Sequence, residues 1–196
     1  MSNTKTIRRI AVIGTGVIGA SWSALRKFVK AAWPALERLG LPPGASQLNL
    51  RFTANLAEAL EDVDLVQENG PERLDFKQEL YRQLDELLPD DVIIASSSSG
   101  LKMSDIQSGA ASYPERCVIG HPFNPPHQIP LVEVVGGSRT SEETIQCAIE
   151  FYESIGKKAV RLNKEMPGHV ANRLQGALAR EIYYPRCREC TQRYRC

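Results

Sequence analysis

Apolar residues recur along this chain with two periods. Short apolar runs at 8–13, 48–53, 64–68, 92–95, 117–121 and 159–162, with a further run carrying Glu133, are too brief for helices and read as buried strands. Between them lie segments whose apolar positions return every third or fourth residue. Phe28, Val29, Ala32, Trp33, Leu36 and Leu39 form one such stripe. Leu74, Leu80, Tyr81, Leu84 and Leu88, with Lys77 on the same face, form another in a helix that Pro71 opens. A short helix is predicted over 56–60, and residues 40–46 read as a loop. Thr140 and Glu143 fit a capping box for a helix that stops at Gly156, and a last helix runs from His169 to Tyr184, where Pro185 ends it.

Strands alternating with helices predict an α/β fold, a Rossmann-like, mostly parallel sheet with helices on both faces. One strand of that pattern is missing. Helical positions follow Leu25 directly, with no β-branched run between. The acidic residue expected about 20 positions after a nucleotide-binding turn has only Glu37 near it, inside a helical pattern.

Composition narrows the function classes. Across 196 residues the formal net charge is +1, hydrophobic residues make up 42% and charged residues 24%, the profile of an ordinary globular protein. No basic run with interleaved aromatics points to nucleic acid, and no apolar stretch approaches a membrane span. With the first strand beginning so soon after Met1, a cytoplasmic protein acting on a small polar or acidic ligand is the expectation. Of the cysteines, Cys187, Cys190 and Cys196 cluster at the end without a fourth ligand nearby, so no zinc is expected.

Three stretches carry candidate chemistry. Gly14-Thr15-Gly16-Val17-Ile18-Gly19 follows a strand and opens a helix, the arrangement in which glycines let a pyrophosphate approach the backbone. An apolar run ends on His121, prolines hold the next residues out of any helix, and a second run presents Glu133. This reads as a general base and the carboxylate that orients it, or more plainly as a surface histidine beside an unrelated glutamate. Residues 96–100, a serine cluster at a strand end, are either a polar turn or hydroxyls placed where open α/β sheets bind ligands. His127 and His169 read as loop or surface residues, and Asn172 as an exposed helix position.

Together, Gly14 to Gly19, Glu68 to Lys77, Ser96 to Leu101, His121-Pro-Phe-Asn-Pro with Leu-Val-Glu133, and Pro167-Gly-His-Val-Ala-Asn-Arg173 resemble the NAD-dependent L-3-hydroxyacyl-CoA dehydrogenase family. The serine cluster and the His-Pro-x-Asn-Pro-Pro wording are especially similar to its branch acting on free hydroxy acids, such as L-gulonate and carnitine. The resemblance implies NAD as cofactor and oxidation of a 3-hydroxyl to a 3-oxo group. His121 would be the base, Glu133 its orienter, and Ser99 and Asn172 the groups that bind the substrate oxygen. Gly14, Gly16, Val17, Ile18, Gly19, Glu68, Arg73, Ser99 and Asn124 would line the cofactor and pocket. On this reading residues 1–166 are the NAD-binding domain, 167–184 the helix leading into a helical domain that the chain lacks, and 185–196 a tail resembling nothing in the family. Family members dimerise through that missing domain. A second reading stays open, that of a non-catalytic protein that binds nucleotide weakly or serves a structural role.

Overall fold

A computed structural model describes residues 6–14, 22–41 and 43–187. Its strands are β1 (Ile10–Ile13), β2 (Leu65–Glu68), β3 (Ile93–Ser96), β4 (Cys117–Pro122), β5 (Leu131–Gly136) and β6 (Lys158–Leu162). Its helices are α1 (Trp22–Leu39), α2 (Leu56–Ala59), α3 (Leu74–Leu87), α4 (Met103–Ile106), α5 (Glu142–Ser154) and α6 (Ala171–Cys187). The strands lie in sequence order in one sheet. β1 to β4 run parallel, β5 is antiparallel to β4, and β6 is parallel to β5.

Alternation along the strands builds a core on each face. Val66, Ile94, Ile119 and Val135 cluster with Leu80, Tyr81 and Leu84 of α3 and with Met103 and Ile106 of α4. Leu65, Ile93, Val118, Val132 and Val134 cluster with Ile145, Ala148, Phe151 and Tyr152 of α5. Each central strand is covered on both sides, which is why its sequence reads as a continuous apolar run. The Rossmann-like sheet with helices on both faces is therefore present.

The run at 48–53 is not a strand. Gln47–Asn49 is a single 3-10 turn, capped by Ser46 Oγ, which accepts from the Leu48 amide at 3.1 Å. A strand exists only where a neighbour takes its backbone hydrogen bonds. Here β1 is a sheet edge among the described residues, with no strand between it and 48–53, so Leu48 is 92% exposed and Val12 of β1 66% exposed.

Three helix ends also differ from expectation. α3 begins at Leu74, not at Pro71, because Arg73 is still extended and its amide bonds back to the Pro71 carbonyl. α5 is capped by Ser141, whose Oγ accepts from the Thr144 amide, whereas Thr140 Oγ1 donates to the Cys117 carbonyl. α6 runs past Pro185 to Cys187, as α1 runs through Pro34. A proline costs a helix one hydrogen bond and bends it, but need not end it.

Candidate active site

The β4–β5 pairing creates the centre of the site. In this antiparallel register His121 lies directly opposite Glu133, so both side chains leave the same face of the sheet. His121 Nδ1 is 3.1 Å from Glu133 Oε2, and the residues are 6% and 3% exposed. A carboxylate only accepts, so Nδ1 carries a proton, and in the neutral imidazole Nε2 then keeps the lone pair. Glu133 has a second use. Its Oε1 accepts from the backbone amides of Val170 and Ala171, at 3.1 and 2.9 Å, at the start of α6. These amides belong to the first turn of that helix, so the positive end of its dipole faces the carboxylate.

Phe123 and His169 flank the His121 ring, with centroids 4.8 and 5.3 Å away. His169 is not a surface residue. It is 1% exposed, and its Nε2 lies 2.9 Å from the Ser98 carbonyl. His127 does remain in the loop after β4, its ring nearly perpendicular to that of Phe28 of α1 with the centroids 6.0 Å apart.

The serine cluster turns at the carboxyl end of β3, beside the dyad. Ser96 Oγ donates to Glu68, Ser97 Oγ to Asn69, and Ser98 Oγ to Glu72. Ser99 is exposed at the tip, and its carbonyl accepts from Asn172 Nδ2 at 3.0 Å, so the structure brings these two predicted residues together. Glu72 holds the turn: its Oε1 also accepts from the amides of Gly100 and Leu101. Partial burial pushes the Glu72 carboxyl up, but the Ser98 hydroxyl and the two amides, helped by the Lys77 charge, leave it below the ordinary carboxylate range.

Glu68, expected at the cofactor, ends β2. It is fully buried, salt-bridged to Lys77 Nζ at 2.7 and 2.8 Å, and it also accepts from Ser96 Oγ and the Gly70 amide. A carboxylate so fully occupied braces the ends of β2 and β3, and it would have to release a partner to reach a ribose. Arg73 is exposed and pairs with Asp75 at the start of α3. Asn124 is exposed in the loop after β4. Neither side chain is placed against the dyad by any hydrogen bond among the described residues.

At the nucleotide end, Gly14 closes β1 with φ +84°, and a Cβ built there would lie 2.8 Å from the Asn69 carbonyl carbon. Only glycine fits this close crossing of β1 and β2, which matches the first glycine of a pyrophosphate-binding turn. Gly16, Val17, Ile18 and Gly19 lie outside the described residues, as do Cys190 and Cys196. Among the described residues no cluster of His, Cys, Asp or Glu is placed to hold a metal, and no helix is long and apolar enough to cross a membrane.

Residues 44–166 match the family of the 3-hydroxyacyl-CoA dehydrogenase NAD binding domain. The chain belongs to the 3-hydroxyacyl-CoA dehydrogenase family. Among its relatives, an L-carnitine dehydrogenase of Streptomyces griseus is 48% identical over 91% of this chain and 59% of its own length. A second, from Streptomyces coelicolor, is 46% identical over 94% of this chain and 64% of its own. A solved NAD+-dependent dismutase, a 5-formyl-3-hydroxy-2-methylpyridine 4-carboxylic acid 5-dehydrogenase, superposes with a TM-score of 0.87 at 35% identity, over 94% of this chain and 67% of that one. The chain thus spans about three fifths of the length of these carnitine dehydrogenases.

Two residues that organise the site escaped the sequence reading. Glu72 had a usable signal, an acid just before α3 and facing a serine-rich turn. His169 had only the Pro-Gly pair before it, which marks a turn but not what the turn packs against.

Proposed function

We propose that this chain supplies the cofactor-binding and proton-accepting part of an NAD-dependent dehydrogenase that oxidises the hydroxyl of an L-3-hydroxyacyl-CoA or a 3-hydroxy acid to the 3-oxo compound. The observation that carries the proposal is the His121–Glu133 pair, buried and held from behind by the start of α6. With Nδ1–H committed to Glu133, the Nε2 lone pair of His121 takes the hydroxyl proton as the C–O single bond becomes a carbonyl. Glu133 stabilises the imidazolium that results. NAD+, when bound, supplies the acceptor for the hydride that leaves the same carbon. Gly14 and the turn after it would hold the pyrophosphate, and Ser99 and Asn172 would direct the substrate oxygen toward His121.

The carnitine dehydrogenases among the relatives favour a free 3-hydroxy acid over a CoA thioester. Dimerisation through the helical domain and a cytoplasmic location belong to the same proposal.

The test is a protein in which the second strand and the helical domain are restored from the Streptomyces griseus relative. NAD+ reduction is followed with L-carnitine, L-gulonate and L-3-hydroxybutyryl-CoA. Turnover of at least one, with L-carnitine or L-gulonate preferred, is expected. A folded protein that binds NADH and turns over none of them would overturn the proposal.

A further inference from the structure

The proton-transfer scheme uses His121 and Glu133 but leaves a second buried imidazole beside them without a task. His169 is 1% exposed and its ring packs against that of His121. The Ser98 carbonyl can only accept, so Nε2 of His169 carries the proton and donates to it. Nδ1 is buried with no hydrogen-bond partner, an unsatisfied acceptor that a phenylalanine of similar shape would not leave behind. The backbone is unusual as well. His169 has φ +48°, directly after Gly168 at +77°, and a bulky residue in the left-handed region is strained. The two residues that follow this turn are the ones whose amides bind Glu133 Oε1.

These features share one geometry. The left-handed turn aims the Val170 and Ala171 amides at Glu133, and the side chain that could hold a non-glycine residue in that turn is tied to Ser98. The neighbouring contacts from Gly168 to the Gly100 carbonyl and from Asn172 to the Ser99 carbonyl run along the same seam.

We propose that His169 is a positioning residue that acts through Glu133. By donating from Nε2 to Ser98 it fixes the turn that clamps Glu133, and so sets the orientation of His121 while locking the serine turn to the dyad. This rests on the dehydrogenase reading only for its catalytic meaning, because the clamp itself is observable without cofactor or substrate.

The test uses the chain as it stands, with His169→Phe and His169→Gln. Phenylalanine keeps the ring and loses the donor. The amide of glutamine is as many bonds from Cβ as Nε2 is, so it keeps the donor and loses the ring. Backbone hydrogen exchange at Val170 and Ala171 and the Nδ1–H proton resonance of His121 are read by NMR.

In His169→Phe, exchange of the two amides is expected to accelerate roughly ten- to a hundredfold, the worth of hydrogen bonds to a charged acceptor, and the His121 signal to broaden or move upfield. His169→Gln is expected to stay within about threefold of the unchanged chain. If His169 merely fills space, the order reverses: phenylalanine preserves the clamp and glutamine loses it. That result, or equal behaviour of the two variants, overturns the proposal.

If His169→Phe does not fold, the unchanged chain must still show His169 as the Nε2–H tautomer and His169→Gln must still protect both amides. Failure of either overturns the proposal, and both together support it. A restored enzyme without turnover would count against the dehydrogenase reading and would leave these exchange results as they are.

Discussion

His121 and Glu133 stand directly opposite each other across β4 and β5, and Glu133 divides its two oxygens between the imidazole and the first amides of α6. The carboxylate therefore has a fixed orientation before any ligand arrives. In the restored protein, Glu133→Gln keeps an acceptor for Nδ1 but not the charge that stabilises the imidazolium. A fall in kcat of about ten- to a hundredfold is expected, with NADH affinity unchanged. Steady-state rates beside an NADH fluorescence titration measure both. Unchanged kcat would show that the charge is not used.

His121→Gln in the same protein removes the base itself. General-base catalysis contributes about two to four orders of magnitude, and a loss of that size in kcat is expected while NADH still binds. A variant that retained wild-type kcat would take His121 out of the chemistry.

Lys77 and Glu68 form an ion pair with both side chains almost fully buried. Lys77→Met would leave the buried carboxylate without a counter-charge, which costs about 3 to 5 kcal/mol, whereas Lys77→Met with Glu68→Gln should recover most of that loss. Urea unfolding midpoints of the two variants decide the matter. If the double variant is no more stable than the single one, the charge on Glu68 is not what Lys77 neutralises.

Glu72 has its carboxyl held below the ordinary value of about 4.5, partial burial being outweighed by the bonds from Ser98, Gly100 and Leu101. A lowered folded pKa means that its stabilisation is present in full above the unfolded value and disappears as pH falls through the folded one. Glu72→Gln should therefore lower the thermal midpoint at pH 7, by under about 1 kcal/mol in stability given the solvent access of the group. The gap between variant and unchanged chain should close as the pH falls beneath the ordinary carboxylate range and through the lowered folded value. A gap that widens on acidification would mean the sign is wrong.

The chain as it stands is expected to bind NADH weakly. Gly14 provides the tight crossing for the pyrophosphate, but among the described residues β1 is a sheet edge, and the carboxylate that ends its one neighbouring strand, Glu68 of β2, is taken up by Lys77. Hydrogen bonds to a charged partner are worth about 1.5 to 3 kcal/mol, so restoring the strand should tighten NADH binding by about ten- to more than a hundredfold. Equal dissociation constants for the two proteins would show the strand to be dispensable.

The parts of this site that are legible in the sequence are those in which one local pattern decides the outcome. A buried strand ending on His121, a second strand carrying Glu133 and a serine-rich strand end are each contained in a few residues, and each lies where it was expected. The misreadings come from long-range partners. Residues 48–53 have strand-like composition but, among the described residues, no strand to pair with. His169 is buried because a left-handed turn brings it to the Ser98 carbonyl, 71 residues earlier. The pairing of Glu68 with Lys77, on the otherwise apolar face of α3, is equally unreadable from the motif. Composition signals none of these pairings, since each residue type would suit a solvated position equally well.

Because His121 meets Glu133 as a cross-strand pair, the dyad should tolerate changes of length unevenly. Residues 123–130 connect the two strands without setting their register, which Val118 to Pro122 and Val132 to Gly136 maintain by themselves. Adding or removing residues in that connection would reshape the loop that follows His121 and leave the pair intact. A single insertion between Cys117 and His121, or between Leu131 and Glu133, would turn one of the two side chains to the opposite face of the sheet. Length can thus vary in the loop, while the His121–Glu133 pair is confined to two short strands where insertions are not tolerated.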